Sequence, residues 1–271
     1  MRNRFLAAVV GLALVLPILH RGGLWVVGLL AFVVAVGLDE WAGMVAGEGD
    51  GAAARRLRAR LVLIPLGTAA FLWVTVAAGQ TTVPDEALLL ALVGVGFLVP
   101  MFAERDVKRA GDEAVKYVAG LVYIPLLLAP LFFIREREDG LWMTAFLLAA
   151  TWLGDTGAYF AGRFFGRHKL FPRVSPNKTV EGALGGLLLS SLGSAALARA
   201  TDLPFSLWEA LLLAAVLDVA GIVGDLAESM LKRAWGVKDS GWIMPGHGGI
   251  LDRIDSLLFT APLLWAWLAL R

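Results

Sequence analysis

Nine apolar segments are set along this 271-residue chain, at about 5–20, 24–47, 61–79, 87–103, 115–134, 141–161, 183–200, 205–223 and 250–270. A helix needs about 20 residues to cross the hydrocarbon of a bilayer, with about 17–25 usual. In that medium each segment must satisfy its own backbone donors and acceptors, which leaves helices as the solution for isolated apolar runs. The pattern therefore predicts an all-α integral membrane protein with about nine transmembrane helices. Composition agrees: 58% of residues are hydrophobic and 17% charged, with a mean hydropathy of +0.73. Those values belong to membrane proteins rather than soluble globules. The chain has no cysteine, which excludes a disulfide, a thiolate metal site and a thiol nucleophile. A net charge of +1 predicts no nucleic-acid partner.

The first segment is short and carries Pro17. Arg2 and Arg4 before an apolar run resemble a signal peptide. However, the run ends in Leu19-His20-Arg21 without a small-residue cleavage site, and another apolar segment follows at once. It reads as an uncleaved helix.

Lysine and arginine set the expected orientation. With the N-terminus inside and one crossing per segment, 19 of these residues fall inside, from Arg2 and Arg4 to Lys238 and Arg253. Only 5 fall outside: Arg21, Arg135, Arg137, Arg199 and Arg271. This asymmetry predicts a multi-pass protein of the inner (plasma) membrane. It places the N-terminus and a polar catalytic cavity on the cytoplasmic side, where nucleotides are.

A single polytopic domain, 1–271, is expected, with an N-terminal helical part (1–140) and a catalytic part (141–271). His20-Arg21-Gly22-Gly23 and the stretch from Gln80 to Glu86 read as tight connections between helices. No internal repeat is visible, which disfavours inverted-repeat transporters. Trp25, Trp142 and Trp208 lie near expected span ends, as interfacial anchors do. Asp39 and Glu40 stand out as acids deep in the second segment.

Nearly every other patterned polar residue lies between 150 and 256. Asp218, Gly221, Asp225, Glu228, Ser229 and Lys232 recur at spacings that place them on one stripe of a continuous helix. Asp252, Asp255 and Ser256 form a second acidic face where the last span begins. Carboxylates from two helices at one depth could hold a divalent cation such as Mg²⁺, which takes hard oxygen ligands and keeps waters and substrate phosphates in its shell. Asp252 and Asp255 would equally cap the positive end of their helix, and spacing does not separate the two roles. Between the acidic sets come Lys232, Arg233 and Lys238, then Pro245-Gly246-His247-Gly248-Gly249. Glycines permit positive φ and close backbone approach to a phosphate. His247 would orient a phosphate, relay a proton or be structural.

A third cluster holds Trp152, Asp155, Thr156, Tyr159 and Arg163. Asp155 and Tyr159 share a helical face, and an acid within a span faces the protein interior or a water-filled cavity. The basic loop from Lys169 to Gly182 follows, and it offers Asn177, Lys178 and Thr179 as phosphate donors.

At these residues the chain resembles the phosphatidate cytidylyltransferase (CDP-diacylglycerol synthase) family. The family signature runs Ser-x-apolar-Lys-Arg, four residues, Lys-Asp, a spacer, then His-Gly-Gly-apolar-x-Asp-Arg-apolar-Asp. Ser229 to Asp255 matches it through Lys232-Arg233, Lys238-Asp239, His247-Gly248-Gly249 and Asp252-Arg253-Ile254-Asp255. Met244 departs conservatively from the Leu, Ile or Phe expected there. Asp155-Thr156-Gly157-Ala158-Tyr159 and the run from Ser175 to Gly182 resemble the family as well.

The resemblance implies that CTP and phosphatidic acid give CDP-diacylglycerol and pyrophosphate, with Mg²⁺, in a homodimer embedded in membrane lipid. It implies Asp225 and Asp252 as metal-binding aspartates of a two-cation site, one Mg²⁺ and one monovalent ion such as K⁺, with Glu228 and Asp255 in support. Lys232, Arg233, Lys238, His247 and Asp252 are the expected catalytic residues. Asn177, Lys178, Ser229, Gly248, Gly249 and Arg253 are the expected substrate contacts. A lipid kinase that moves only the γ-phosphate of CTP would use similar chemistry. An ion-coupled transporter using Asp39, Asp155 and Asp218 is the reading from a different class.

Overall fold

The computed structural model describes residues 2–77, 85–241 and 248–271. A helix lies over each of the nine apolar segments. They are α1 (Arg2–Arg21), α2 (Leu24–Ala46), α3 (Ala52–Leu72), α4 (Asp85–Ala103), α5 (Val107–Arg135), α6 (Gly140–Phe165), α7 (Val180–Ala200), α8 (Leu207–Ala234), and the pair α9 (Leu251–Ile254) and α10 (Leu257–Leu270). A π-helical turn, Trp73–Ala77, extends α3. Among the described residues seven helices are long and apolar enough to cross a membrane: α2, extended α3, α4, α5, α7, α8 and α9–α10 together. α1 and α6 stand outside that set. Trp, Thr, Gly and Asp155 dilute the apolar run of α6.

Two compact units divide the chain. The first comprises residues 1–132 and 234–253, and the second 133–233 and 254–271. In the first unit, α2 buries Val26, Leu30, Val34, Leu38 and Trp41 on one stripe. Leu38 fills the space that a side chain on Gly67 of α3 would take. Trp41 lies against Gly120 of α5 and donates its indole N–H to the carbonyl of Lys116 at 2.9 Å. It also meets Trp235 edge-on, with ring centroids 4.9 Å apart. Two arginines of this unit hold acids in ion pairs. Arg58 bridges Glu104 (2.5 Å) and Glu113 (2.7 Å), and Arg60 grips Asp39. The connection expected from Gln80 to Glu86 lies for the most part outside the described residues.

In the second unit, α6 and α7 run backbone to backbone. A side chain on Gly157 would meet the Gly185 carbonyl, and one on Gly186 would meet the Gly154 carbonyl at 2.7 Å. Small residues allow this approach where lipid gives no hydrophobic drive for helix association. The loop between these helices contains a two-stranded antiparallel hairpin, β1 (Lys169–Phe171) and β2 (Ser175–Thr179), which pairs Lys169 with Thr179 and Phe171 with Ser175.

The last span does not start as one unbroken helix. The helical path is interrupted at Asp255 and Ser256, where the Asp255 carboxylate accepts the Ser256 N–H at 2.6 Å. A side chain that captures a backbone donor competes with the helix ladder in this way.

Gly186→Val places branched carbon where a backbone carbonyl lies. Overpacking of this kind costs about 1–3 kcal/mol, so the variant is expected to unfold in detergent at a clearly lower temperature than the wild type. An unchanged thermal midpoint would contradict the α6–α7 contact.

Candidate active site

The hairpin is anchored at its base. Thr179 caps α7, its hydroxyl accepting the Gly182 N–H at 3.1 Å. Glu181, in the first turn of α7, accepts the backbone N–H groups of Arg167 (3.0 Å) and His168 (3.2 Å) and lies 2.6 Å from His168 Nδ1. Cap and carboxylate together fix where β2 leaves the hairpin and hence where Lys178 starts.

Lys178 Nζ donates to Asp225 Oδ2 at 2.6 Å. Asp225 also accepts the Ser229 hydroxyl at 3.2 Å, one helical turn along α8. Because α8 is unbroken from Leu207 to Ala234, Asp218 stands two turns before Asp225. Asp218 is buried, and its carboxylate occupies the space that a side chain on Gly154 of α6 would fill. Its Oδ2 is buried without a hydrogen-bond partner. Asp155 is within Coulombic range of Asp218, and Asp255 within range of Asp225 and Asp155. Gly224 lets the Asp255 backbone approach α8, and the Ser256 hydroxyl donates to the Gly221 carbonyl at 3.2 Å.

These elements enclose a cavity of about 590 Å³ within the second unit. α6 contributes Asp155, Tyr159 and Arg163, and the hairpin contributes Leu170, Asn177, Lys178 and Thr179. α8 and the start of α10 add Asp218, Gly221, Ile222 and Ser256. The volume lies in the range of small-molecule sites.

The other expected residues are placed as follows. Glu228 and Lys232 are buried and pair with each other at 3.2 Å along α8. Arg233 is exposed at the end of α8. In the first unit, Lys238 and Arg253 are exposed. Asp252 Oδ2 accepts the N–H of Gly249 (2.8 Å), the N–H of Ser240 (3.1 Å) and the Ser240 hydroxyl (2.9 Å). Gly248 has φ +77°, and a side chain there would meet Asp252 Oδ2 at 2.6 Å. Gly249 is buried, its side-chain space filled by Ser240 and Glu40. The close approach that these glycines permit is thus an approach to protein carboxylates. His247, with Pro245 and Gly246, lies outside the described residues.

Among the described residues no three His, Asp or Glu side chains are grouped tightly enough to hold an ion by themselves. Mg²⁺ does not require that, since it binds through one or two carboxylates plus substrate phosphates and water. The donor set fits such an ion: hard oxygen ligands line the cavity, with Asp218 Oδ2 buried and without a partner. Sequence reasoning put Asp218 on the acidic stripe of α8 and faced Asp155 to the interior or a water-filled cavity, but it gave no role to Glu40 and did not single out Ser240. The acids were visible as charges within apolar runs. The serine carried no pattern of its own.

Residues 2–271 match the cytidylyltransferase family. Three similar proteins carry the name phosphatidate cytidylyltransferase. One from Staphylococcus epidermidis strain RP62A is 38% identical over 266 residues, covering 97% of each chain. One from Staphylococcus haemolyticus is 35% identical over 266 residues, again 97% of each. One from Staphylococcus aureus strain COL is 35% identical over 265 residues, also 97% of each.

Replacing a Thr N-cap by Ala costs about 1 kcal/mol. Thr179→Ala is therefore expected to raise hydrogen exchange over residues 167–182 and to lower the thermal midpoint slightly. Unchanged exchange in that segment would show that the cap does not hold the hairpin.

Proposed function

The chain belongs to the cytidylyltransferase family, and on that premise we infer that it transfers the cytidylyl group of CTP to phosphatidic acid, giving CDP-diacylglycerol and pyrophosphate. The observation that carries this reading is the cavity in which Lys178, Arg163 and Asn177 stand beside aspartates. Such a lining suits a reaction between two phosphate-bearing substrates.

A phosphate oxygen of phosphatidic acid forms a bond to the α-phosphorus of CTP, and the bond to the departing pyrophosphate breaks. The attacking oxygen is already anionic, so no strong general base is required. The difficulty is bringing two polyanions together, and the residues answer it electrostatically. Lys178 is a cation on a well-anchored strand end and shifts from Asp225 to a phosphate when substrate arrives. Asn177 donates from the adjacent position, and Arg163 adds positive charge from α6. Ser229 holds the Asp225 carboxylate in orientation as Lys178 exchanges partners. Lys232, Arg233, Lys238 and Arg253 are proposed as further phosphate contacts, with Ser229, Gly248, Gly249 and His247 in the same signature.

Mg²⁺ is the proposed cofactor, supplying neutralisation of phosphate charge when bound. Asp225 and Asp252 are its proposed carboxylates, with Glu228 and Asp255 in support. A monovalent ion such as K⁺ is proposed as a second cation. About nine spans are proposed from the nine apolar segments, and a cytoplasmic N-terminus and a cavity open to the cytoplasm from the 19-to-5 distribution of lysine and arginine. A plasma-membrane location and a homodimer complete the proposal.

The test uses reconstituted protein with phosphatidic acid, Mg²⁺ and CTP labelled at either the α- or the γ-phosphate. α-Label is expected in the lipid phase, and γ-label in pyrophosphate. γ-Label in lipid would instead identify a kinase. Loss of a positioned charge-stabilising group costs about 10²–10³ in turnover, and Asp225→Asn and Asp252→Asn are each expected to lose that much. Wild-type turnover with unchanged Mg²⁺ dependence in both would refute the metal assignment.

A further inference from the structure

Two neighbouring acids of α2 have different surroundings. Asp39 is taken by Arg60, whose Nε and Nη2 reach its two oxygens at 2.5 and 2.8 Å. Glu40 is only 3% exposed, and it accepts hydrogen bonds from the signature segment, two of them from residues more than two hundred positions away. Its Oε1 accepts the Ile250 N–H at 2.8 Å, and its Oε2 accepts the Leu251 N–H at 3.0 Å and contacts the Ser240 hydroxyl at 3.0 Å. A buried carboxylate is costly unless several donors meet it, so these contacts are what makes Glu40 tolerable.

The Ser240 hydroxyl also lies 2.9 Å from Asp252 Oδ2. It has one proton and donates to one carboxylate at a time, so it links them. Asp252 Oδ2 further accepts the Gly249 N–H, from the residue just before the two amides held by Glu40. A side chain on Gly241 or Gly249 would collide with the Glu40 carboxylate, so the segment is shaped to receive it. All of these residues belong to the first unit.

We propose that Glu40 is a positioning residue for Asp252: it fixes the 249–251 backbone and Ser240, and through them the orientation of the Asp252 carboxylate. This rests on the reading of Asp252 as an active-site carboxylate. Partners that orient a metal ligand from behind are worth about 10–100-fold in metal affinity or activity.

The test compares full-length wild type with Glu40→Gln, Ser240→Ala, the double variant and Asp252→Asn. Thermal midpoint and hydrogen exchange over 248–252 are measured without substrates; kcat, KM for CTP and the Mg²⁺ concentration for half-maximal rate are measured with them. Glu40→Gln is expected to speed exchange at 249–251. It is also expected to lower kcat, or raise the Mg²⁺ requirement, by about 10–100-fold, with little change in KM. Ser240→Ala, which keeps the two backbone contacts of Glu40, is expected to do the same more weakly. The double variant is expected to be less impaired than the product of the singles, as coupled residues are. A lower thermal midpoint with unchanged kcat and Mg²⁺ requirement would make Glu40 merely structural and overturn the proposal. If Glu40→Gln does not fold, Ser240→Ala decides: wild-type kinetics there overturn the proposal. If Asp252→Asn alone is inactive, only the role of Glu40 falls; if Asp252→Asn is fully active, the assignment of Asp252 falls and the proposal with it.

Discussion

The ion pair between Lys178 and Asp225 ties the hairpin to α8 at 2.6 Å, and the cavity takes its character from it. Both side chains are partly exposed, 25% and 30%. An exposed pair contributes only about 0–1 kcal/mol to stability. Its importance therefore lies in placement: it keeps a cation and an anion together in a chain where isolated charge is costly. A phosphate can displace the aspartate from the lysine, and a cation can displace the lysine from the aspartate. In the proposed mechanism each partner holds the other's place until substrate arrives.

Glycine is the recurrent means by which carboxylates are packed against backbone. Gly154 makes room for Asp218, Gly224 admits the Asp255 backbone, and Gly248 and Gly249 lie against Asp252, Ser240 and Glu40. A side chain at any of these positions would occupy space that an acidic residue or its backbone already fills. The glycines at these contacts thus serve two ends. Some glycines let helices touch, as between α6 and α7, and others let acids sit close to the main chain.

The helices were legible because apolar length is a strong signal, and the acidic stripe of α8 was legible because helical spacing is regular. The hairpin between α6 and α7 was not, since its strands are only three and five residues long and follow no clear alternation. The break at Asp255 was hidden as well: it arises from one carboxylate capturing the next amide. In the candidate site, Lys178 and Asp225 were named from sequence, but their pairing is a tertiary fact. Glu228 and Lys232 share the expected stripe, yet they are bonded to each other. Glu40 was visible only as an acid in an apolar run. Its partners, 200 and more residues away, depend on a fold that local pattern does not encode.

The most direct test of the central claim is a double-mutant cycle on kcat/KM for CTP and phosphatidic acid, using Lys178→Met, Asp225→Asn and the double variant. If the two residues act as one unit, each single loses about 10²-fold or more. The double should then fall little below the worse single, a coupling of about 0.5–3 kcal/mol. Losses that simply multiply, or a single variant with wild-type kcat/KM, would contradict the account.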